Sequence, residues 1–267
     1  MDLQLTDKRA LVTGGSRGIG KAVAYALAME GVDVALLARD PQTLEAVAHS
    51  LSQQTGRRVV GVVADTRSEM EVRRAVAQAE TALGGSVDIL VNAAAEPAGY
   101  APPPRMSEIT ASYLQAQMDV KVMGYLRVIQ AVAPGMIGRG WGRIINISGL
   151  AARSTGNAVG SIRNVSVAAL TKNLADELGP KGINVTVVHP GTTETERTSD
   201  MLTHRAQSRG VTQEQIRAEL DAGNSTGKLV NAQEVADVVA FLASPRSRAI
   251  HGDAIVVGGG VPGSIHY

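Results

Sequence analysis

Seven short runs rich in β-branched residues recur along the chain, and a stretch with helical spacing follows nearly every one. "RALVTGG" leads into "GKAVAYALAME", "DVALLA" into "PQTLEAVAHSL", and "RVVGVVAD" into "SEMEVRRAVAQAE". "VDILVNAAA" leads into "YLQAQMDVKVMGYLRVIQAVAPGM", "GRIINISG" into "VAALTKNLADEL", and "INVTVVHPG" and "AIVVGGG" complete the set. A strand that crosses over through a helix to a parallel neighbour lays helices on both faces of one sheet. The chain is therefore expected to form a single doubly wound α/β domain over residues 1–267, with a seven-stranded parallel sheet.

The composition agrees. Aromatics are 3% of the chain, so the core must be built from Ala, Val, Leu and Ile, which suits strands buried on both faces. A 44% hydrophobic and 19% charged content is that of a folded globule. A net charge of +1 points to neither a nucleic-acid nor a membrane partner. No apolar run approaches the ~18 residues a membrane span needs. "MDLQLTDKRA" lacks the basic-then-apolar pattern of a signal peptide. Cysteine is absent, which excludes disulfides and thiolate metal sites and suggests a cytoplasmic protein. No residues are spaced as metal ligands.

One segment breaks the rhythm. Residues 192–231 are polar and show no strand, with a helix expected over "TQEQIRAELDA" capped by Thr212. An insertion of this length after a strand end is expected to act as a substrate lid.

"LVTGGSRGIGKAVA" runs from a strand into a helix, with glycines at Gly14, Gly18 and Gly20. Such glycines allow a tight turn and close approach of a pyrophosphate, and the helix that follows offers free N–H groups and a positive dipole end. Opening the first βα unit of the chain, the motif reads as a dinucleotide site. With its T-G-x-x-x-G-x-G spacing, the chain resembles the short-chain dehydrogenase/reductase family over nearly its whole length.

The resemblance implies a Rossmann fold and a nicotinamide cofactor. It assigns the pyrophosphate loop to Gly14, Ser16, Arg17, Gly18, Ile19 and Gly20, and an adenine contact to Asp65 with Thr66 beside it. "NAAA", containing Asn92, Ala93 and Ala94, stands where the family has N-N-A-G. Pro190, Gly191 and Thr195 match its P-G-x-x-x-T stretch near the nicotinamide, and "VVGGG" replaces the usual V-D-G-G. Where an NAD-selecting acid would end the second strand there is Ala38, followed by Arg39, with Arg17 in the glycine loop. Two guanidiniums suit a 2′-phosphate, so NADP is expected rather than NAD. Asp40 is the rival signal, but Asp40-Pro41 reads as a helix cap followed by Pro at the first helical position.

The catalytic residues implied by the resemblance are largely missing. The family works with Asn, Ser, Tyr and Lys. Counting back from "ALTKNLA" puts the Tyr at Gly160 and the Lys at Asn164; counting forward from "NIS" puts the Tyr near Ile162. No Tyr occurs between Tyr125 and Tyr267, and no Lys between Lys121 and Lys172. The Ser position falls on Gly149, one residue after Ser148, and the Asn position on Lys121. Lys121 and Asn164 thus stand in each other's places. Either the ammonium now approaches from the opposite helix, or the site has drifted and Lys121 snorkels to solvent. Lys121, Ser148 and Asn164 are the candidate catalytic residues, and Tyr125 is expected in the core or an interface.

His189 is expected to be a satisfied packing histidine; Arg153, Arg197, Arg205 and His204 could meet an acidic substrate at the lid, but most are expected to be solvated surface charges. The expected function is hydride transfer between NADP and a small carbonyl or alcohol with an atypical proton donor. The alternative is a non-catalytic dinucleotide-binding sensor or partner subunit. The resemblance implies that two long helices rich in small residues, over 112–136 and 163–178, pair copies into a homodimer or homotetramer.

Overall fold

The computed structural model describes residues 1–96, 100 and 102–262. Strands β1 (Arg9–Thr13), β2 (Asp33–Ala38), β3 (Val59–Val63), β4 (Ile89–Asn92), β5 (Gly142–Ile147), β6 (Ile183–Pro190) and β9 (Ala254–Val257) form one seven-stranded sheet. Its order is β3-β2-β1-β4-β5-β6-β9, and every pairing is parallel. This is the doubly wound arrangement expected from the alternation. Consecutive strand residues point to opposite faces. Val12, Leu36, Ile89 and Ile145 enter one core with α1 (Gly18–Met29), α2 (Pro41–Thr55) and α9 (Ala232–Ala243). Leu11, Leu37, Leu90 and Ile144 enter the other, with α3 (Glu69–Leu83), α5 (Gly124–Arg139) and α6 (Ala158–Leu178).

Three local features differ from the sequence-based expectation. The helix expected over 112–136 is α4 (Ala111–Met118), a π turn (Asp119–Met123) and α5 in succession. α6 begins at Ala158 rather than 163, because the Asn157 side chain accepts from Gly160 N and caps it there. The segment after β6 is not strand-free: β7 (Thr193–Glu194) pairs in parallel with β8 (Val230–Asn231), and α7 (Thr198–Arg209) precedes α8 (Gln213–Ala222). Thr212 caps α8, and Met201, Leu202, Ala206 and Ile216 give α7 and α8 a small core of their own.

Sheet order reverses between β1 and β4, and a crevice opens there at the carboxyl ends of the strands. In this fold class that is where ligands bind.

Candidate active site

The crevice has two halves. The first, about 460 Å³, is lined by Gly14, Ser16, Arg17, Gly18, Arg39, Thr66, Ala93 and Ala94. Its floor is set by backbone. Thr13 Oγ1 accepts from Ala93 N at 3.1 Å and from Ala94 N at 3.2 Å, which ties the end of β4 to the glycine turn. Gly14 has φ +67°, and a Cβ there would lie 2.9 Å from Ala93 O; a Cβ at Gly20 would lie 2.3 Å from Gly14 O. Only glycine permits this approach.

Three carboxylates already occupy the positive positions of this half. Gly18 N, at the start of α1, donates to Glu196 Oε1 at 2.8 Å. Arg17 faces Asp40 at 3.5 Å, and Arg39 faces Glu96 at 3.1 Å. Asp40 also accepts from Gln42 N and Thr43 N, the capping role expected of it. The Asp65 carboxylate pairs with Arg67, whose hydrogen bonds hold it below the usual carboxylate range, beside a cavity wall formed by Ala64 and Thr66. Asn92 lies behind the wall, donating to Asn146 Oδ1 at 3.0 Å.

The second half, about 710 Å³, is continuous with the first through Arg17 and Ala93. It is lined by Ile19, Gly20, Pro190, Gly191 and Thr195, and by Lys121, Ser148 and Asn164. The π turn places Val120 on the first cavity and Lys121 on the second. Single π turns recur at functional sites because they rotate one residue off the helical face.

Lys121 is 5% exposed and Asn164 4%. Lys121 Nζ donates to Ser148 O at 2.8 Å and to Asn164 Oδ1 at 3.1 Å. The ammonium does not snorkel. It is buried against the residue that stands in the lysine position of the resemblance. Burial, and then the nearby Arg163 charge, bring its pKa down to about 7. Ser148 Oγ donates to Asn164 O at 3.0 Å, so its proton is committed to α6. Tyr125, 1% exposed, donates to Ile147 O at 2.9 Å and is a core residue, its phenol pushed up by burial. His189 is buried with its pKa lowered to about 4 by desolvation. Its Nδ1 finds no partner, so it is packed but not satisfied.

The family model described as enoyl-(acyl carrier protein) reductase matches residues 14–262. The short-chain reductase protein NovJ of Streptomyces niveus is 32% identical over 95% of this chain and 93% of its own. The 3-oxoacyl-[acyl-carrier-protein] reductase FabG of Aquifex aeolicus is 32% identical over 98% of this chain and 100% of its own. Dehydrogenase/reductase SDR family member 4 of Oryctolagus cuniculus is 30% identical over 97% of this chain and 95% of its own. The chain belongs to the short-chain dehydrogenase/reductase family.

Among solved structures, L-sorbose reductase from Gluconobacter frateurii, complexed with NADPH and L-sorbose, superposes with a TM-score of 0.92 at 27% identity, covering 99% of this chain and 100% of that one. Actinorhodin polyketide ketoreductase with NADPH superposes at 0.87 with 31% identity, covering 96% and 98%.

Within the family the departures of this chain are mutually fitted. A Cβ at Gly149, the Ser position, would fall 2.9 Å from Asn164 Nδ2. A Cβ at Gly160, the Tyr position, would fall 2.7 Å from Asn157 Nδ2 of the α6 cap. Gly160 and Asn164 both line the cavity, whereas Ile162 is 47% exposed, so the count back from "ALTKNLA" is the one that reaches the site. Sequence reasoning missed Glu196 and Glu96 as partners of the glycine loop and Arg39. It also missed Arg163 in the second cavity. Each lies far in sequence from what it meets, and a lone acid or base in a loop carries no local signal.

Proposed function

We propose that this protein is an NADP(H)-dependent oxidoreductase that interconverts a carbonyl and an alcohol, with Lys121 in place of the family's phenol as proton donor. The residues present fit the cofactor. Glycines hold the turn where any Cβ would collide, and a carboxylate rests on the α1 N-terminus where a phosphate would bind. Gly14, Ser16, Gly18 and Gly20 would take the pyrophosphate, and Arg17 with Arg39 the 2′-phosphate, consistent with the NADPH-bound relatives. Ala93 and Ala94 would back the dinucleotide, and Pro190, Gly191 and Thr195 the nicotinamide end. Bound NADPH supplies the hydride.

The observation that carries the reading is the hydrogen bonding of Lys121. A neutral amine has two N–H groups, and both have acceptors here, Ser148 O and Asn164 Oδ1. The third proton of the ammonium is the one without an acceptor among the described residues, on a side chain that lines the cavity. It is the proton available to a forming alkoxide. A pKa of about 7 suits transfer near neutrality. Asn164 and Ser148 orient the amine; the Ser148 hydroxyl does not compete for the role.

The test is NADPH consumption on a panel of carbonyl compounds with wild type and Lys121→Ala. Turnover should fall by ~10²-fold or more if Lys121 is the acid. Binding of NADPH without consumption of any carbonyl by the wild type would favour the non-catalytic reading instead.

Residues 192–231 act in this reading as a lid over the second cavity, to which they contribute Thr195, Met201 and Leu220. The exposed Tyr113, Met123, Ile162 and Val165 on α4, the π turn and α6 support assembly into dimers or tetramers through these helices. A monomer by sedimentation at micromolar concentration would exclude that assembly.

A further inference from the structure

The second cavity is short of negative charge. Lys121 is buried with no carboxylate among its neighbours; its partners are a carbonyl and an amide oxygen. Arg163, one residue before Asn164 on α6, is part-buried and lines the same space. Among the described residues only its Nη1 is bonded, to Gln117 Oε1 on α4. Its Nε is buried and has no acceptor among the described residues, and burial pulls the guanidinium below its usual range with no carboxylate acting on it. The acids on the cavity wall are engaged elsewhere, Glu96 with Arg39 and Glu219 with Arg209. A buried amine and a part-buried guanidinium side by side without a counter-ion are costly to charge together unless a bound group neutralises them.

Two pairs brace the helices here. Gln117 meets Arg163 and, one turn on, Lys121 meets Asn164. The second pair faces the group that gains charge in the reaction. The first presents to the cavity a part-buried guanidinium whose Nη2 makes no hydrogen bond among the described residues, a cation suited to a carboxylate.

We propose that the substrates are carbonyl compounds bearing a carboxylate, oxo acids or the corresponding hydroxy acids, with Arg163 holding the carboxylate while Lys121 faces the carbonyl oxygen. The assignment of the carbonyl rests on the reductase reading above; the assignment of the carboxylate rests on Arg163 and stands apart from turnover. Arg163 is then the residue that separates acidic from neutral carbonyl substrates.

The test compares each acid with its own methyl ester. 2-Oxohexanoate and 5-oxohexanoate, which differ in the reach from carboxylate to carbonyl, are measured against their esters in two ways. Calorimetry on protein saturated with NADP⁺ reads binding, and NADPH consumption reads kcat/KM. At least one acid should bind tenfold or more tighter than its ester and be preferred by a similar factor in kcat/KM. Arg163→Gln should bring that ratio to near one, and Arg163→Lys should keep part of it. Acids that bind no better than their esters would overturn the proposal without needing any variant. A preference that survives intact in a folded Arg163→Gln protein would overturn it too. If the acid binds selectively yet no NADPH is consumed, the carboxylate site stands and the reductase reading falls.

Discussion

Replacing Lys121 by Met should change how stability depends on pH, in a direction fixed by where the amine sits. In the unfolded chain the amine titrates at the ordinary 10.5, and in the folded protein burial brings it to about 7. Below pH 7 both states hold the proton and the folded state bears the whole cost of an ammonium in the interior. At ~1.36 kcal/mol per pH unit that cost is about 5 kcal/mol. Between pH 7 and 10.5 the folded protein has released the proton while the unfolded chain keeps it. Unfolding then takes up a proton, so stability rises with pH. From pH 6 to pH 9 the gain amounts to about 3 kcal/mol, and Lys121→Met lacks it. Groups around the amine do not blur the window: His189 is neutral above about 4, Arg163 stays a guanidinium, and the Tyr125 phenol is pushed up. The assay is urea unfolding of both proteins at pH 6, 7, 8 and 9, at fixed protein concentration and ionic strength. Met also strips Ser148 O and Asn164 Oδ1 of a donor, at ~1–3 kcal/mol each, but that loss is nearly the same at every pH. The slope of the difference therefore carries the prediction, with wild type gaining on the variant as pH rises. A difference flat to within ~1 kcal/mol, or one that runs the other way, would refute the buried, uncompensated ammonium.

Removing Arg17 and Arg39 together should weaken NADPH binding by at least tenfold more than NADH binding, measured by cofactor fluorescence; equal losses would sink the 2′-phosphate assignment. Gly20→Ala should cost cofactor affinity tenfold or more and lower the unfolding midpoint, because its Cβ would meet Gly14 O at 2.3 Å; unchanged binding would mean the loop has room the structure denies. Gly160→Tyr with Asn164→Lys should be destabilised rather than restored to the family's chemistry. The ring displaces the Asn157 cap, and the new ammonium meets Lys121. Adding Lys121→Asn should recover part of the stability, and of these two variants only the triple one should reduce carbonyls through the new phenol, as NADPH consumption would show.

The number of strands and their parallel direction were legible because the inner strands are buried on both faces and read as unbroken apolar runs, as in "DVALLA" and "GRIINI". The glycine turn was legible because its backbone forbids other residues. Asp40 and Thr212 were legible because capping is a contact within four residues. What was not legible depends on distant contacts. The π turn at Asp119–Met123 has no proline or glycine to announce it. The α6 start was misplaced because Ala158–Gly160 carries no helical periodicity, and the Asn157 cap holds it instead. The reciprocal exchange of Lys121 and Asn164 could be read as a pair of oddities. That the two touch is a fact about α6 lying against the π turn. The pairing of Asp65 with Arg67, two residues away, was not read from the sequence either.

Glu196 on the first amide of α1 alters what it means to bind a cofactor here. A phosphate that comes to Gly18 takes a seat held by a carboxylate, between arginines already matched by Asp40 and Glu96. Loading is thus anion exchange rather than the filling of a bare cationic groove. The cations of the cleft are already matched by acids, so affinity should vary less with ionic strength than two free guanidiniums would make it. The displaced carboxylate also belongs to the residue after Thr195, two before α7 begins, so the exchange at the glycine loop pulls directly on the polypeptide that leads over the second cavity.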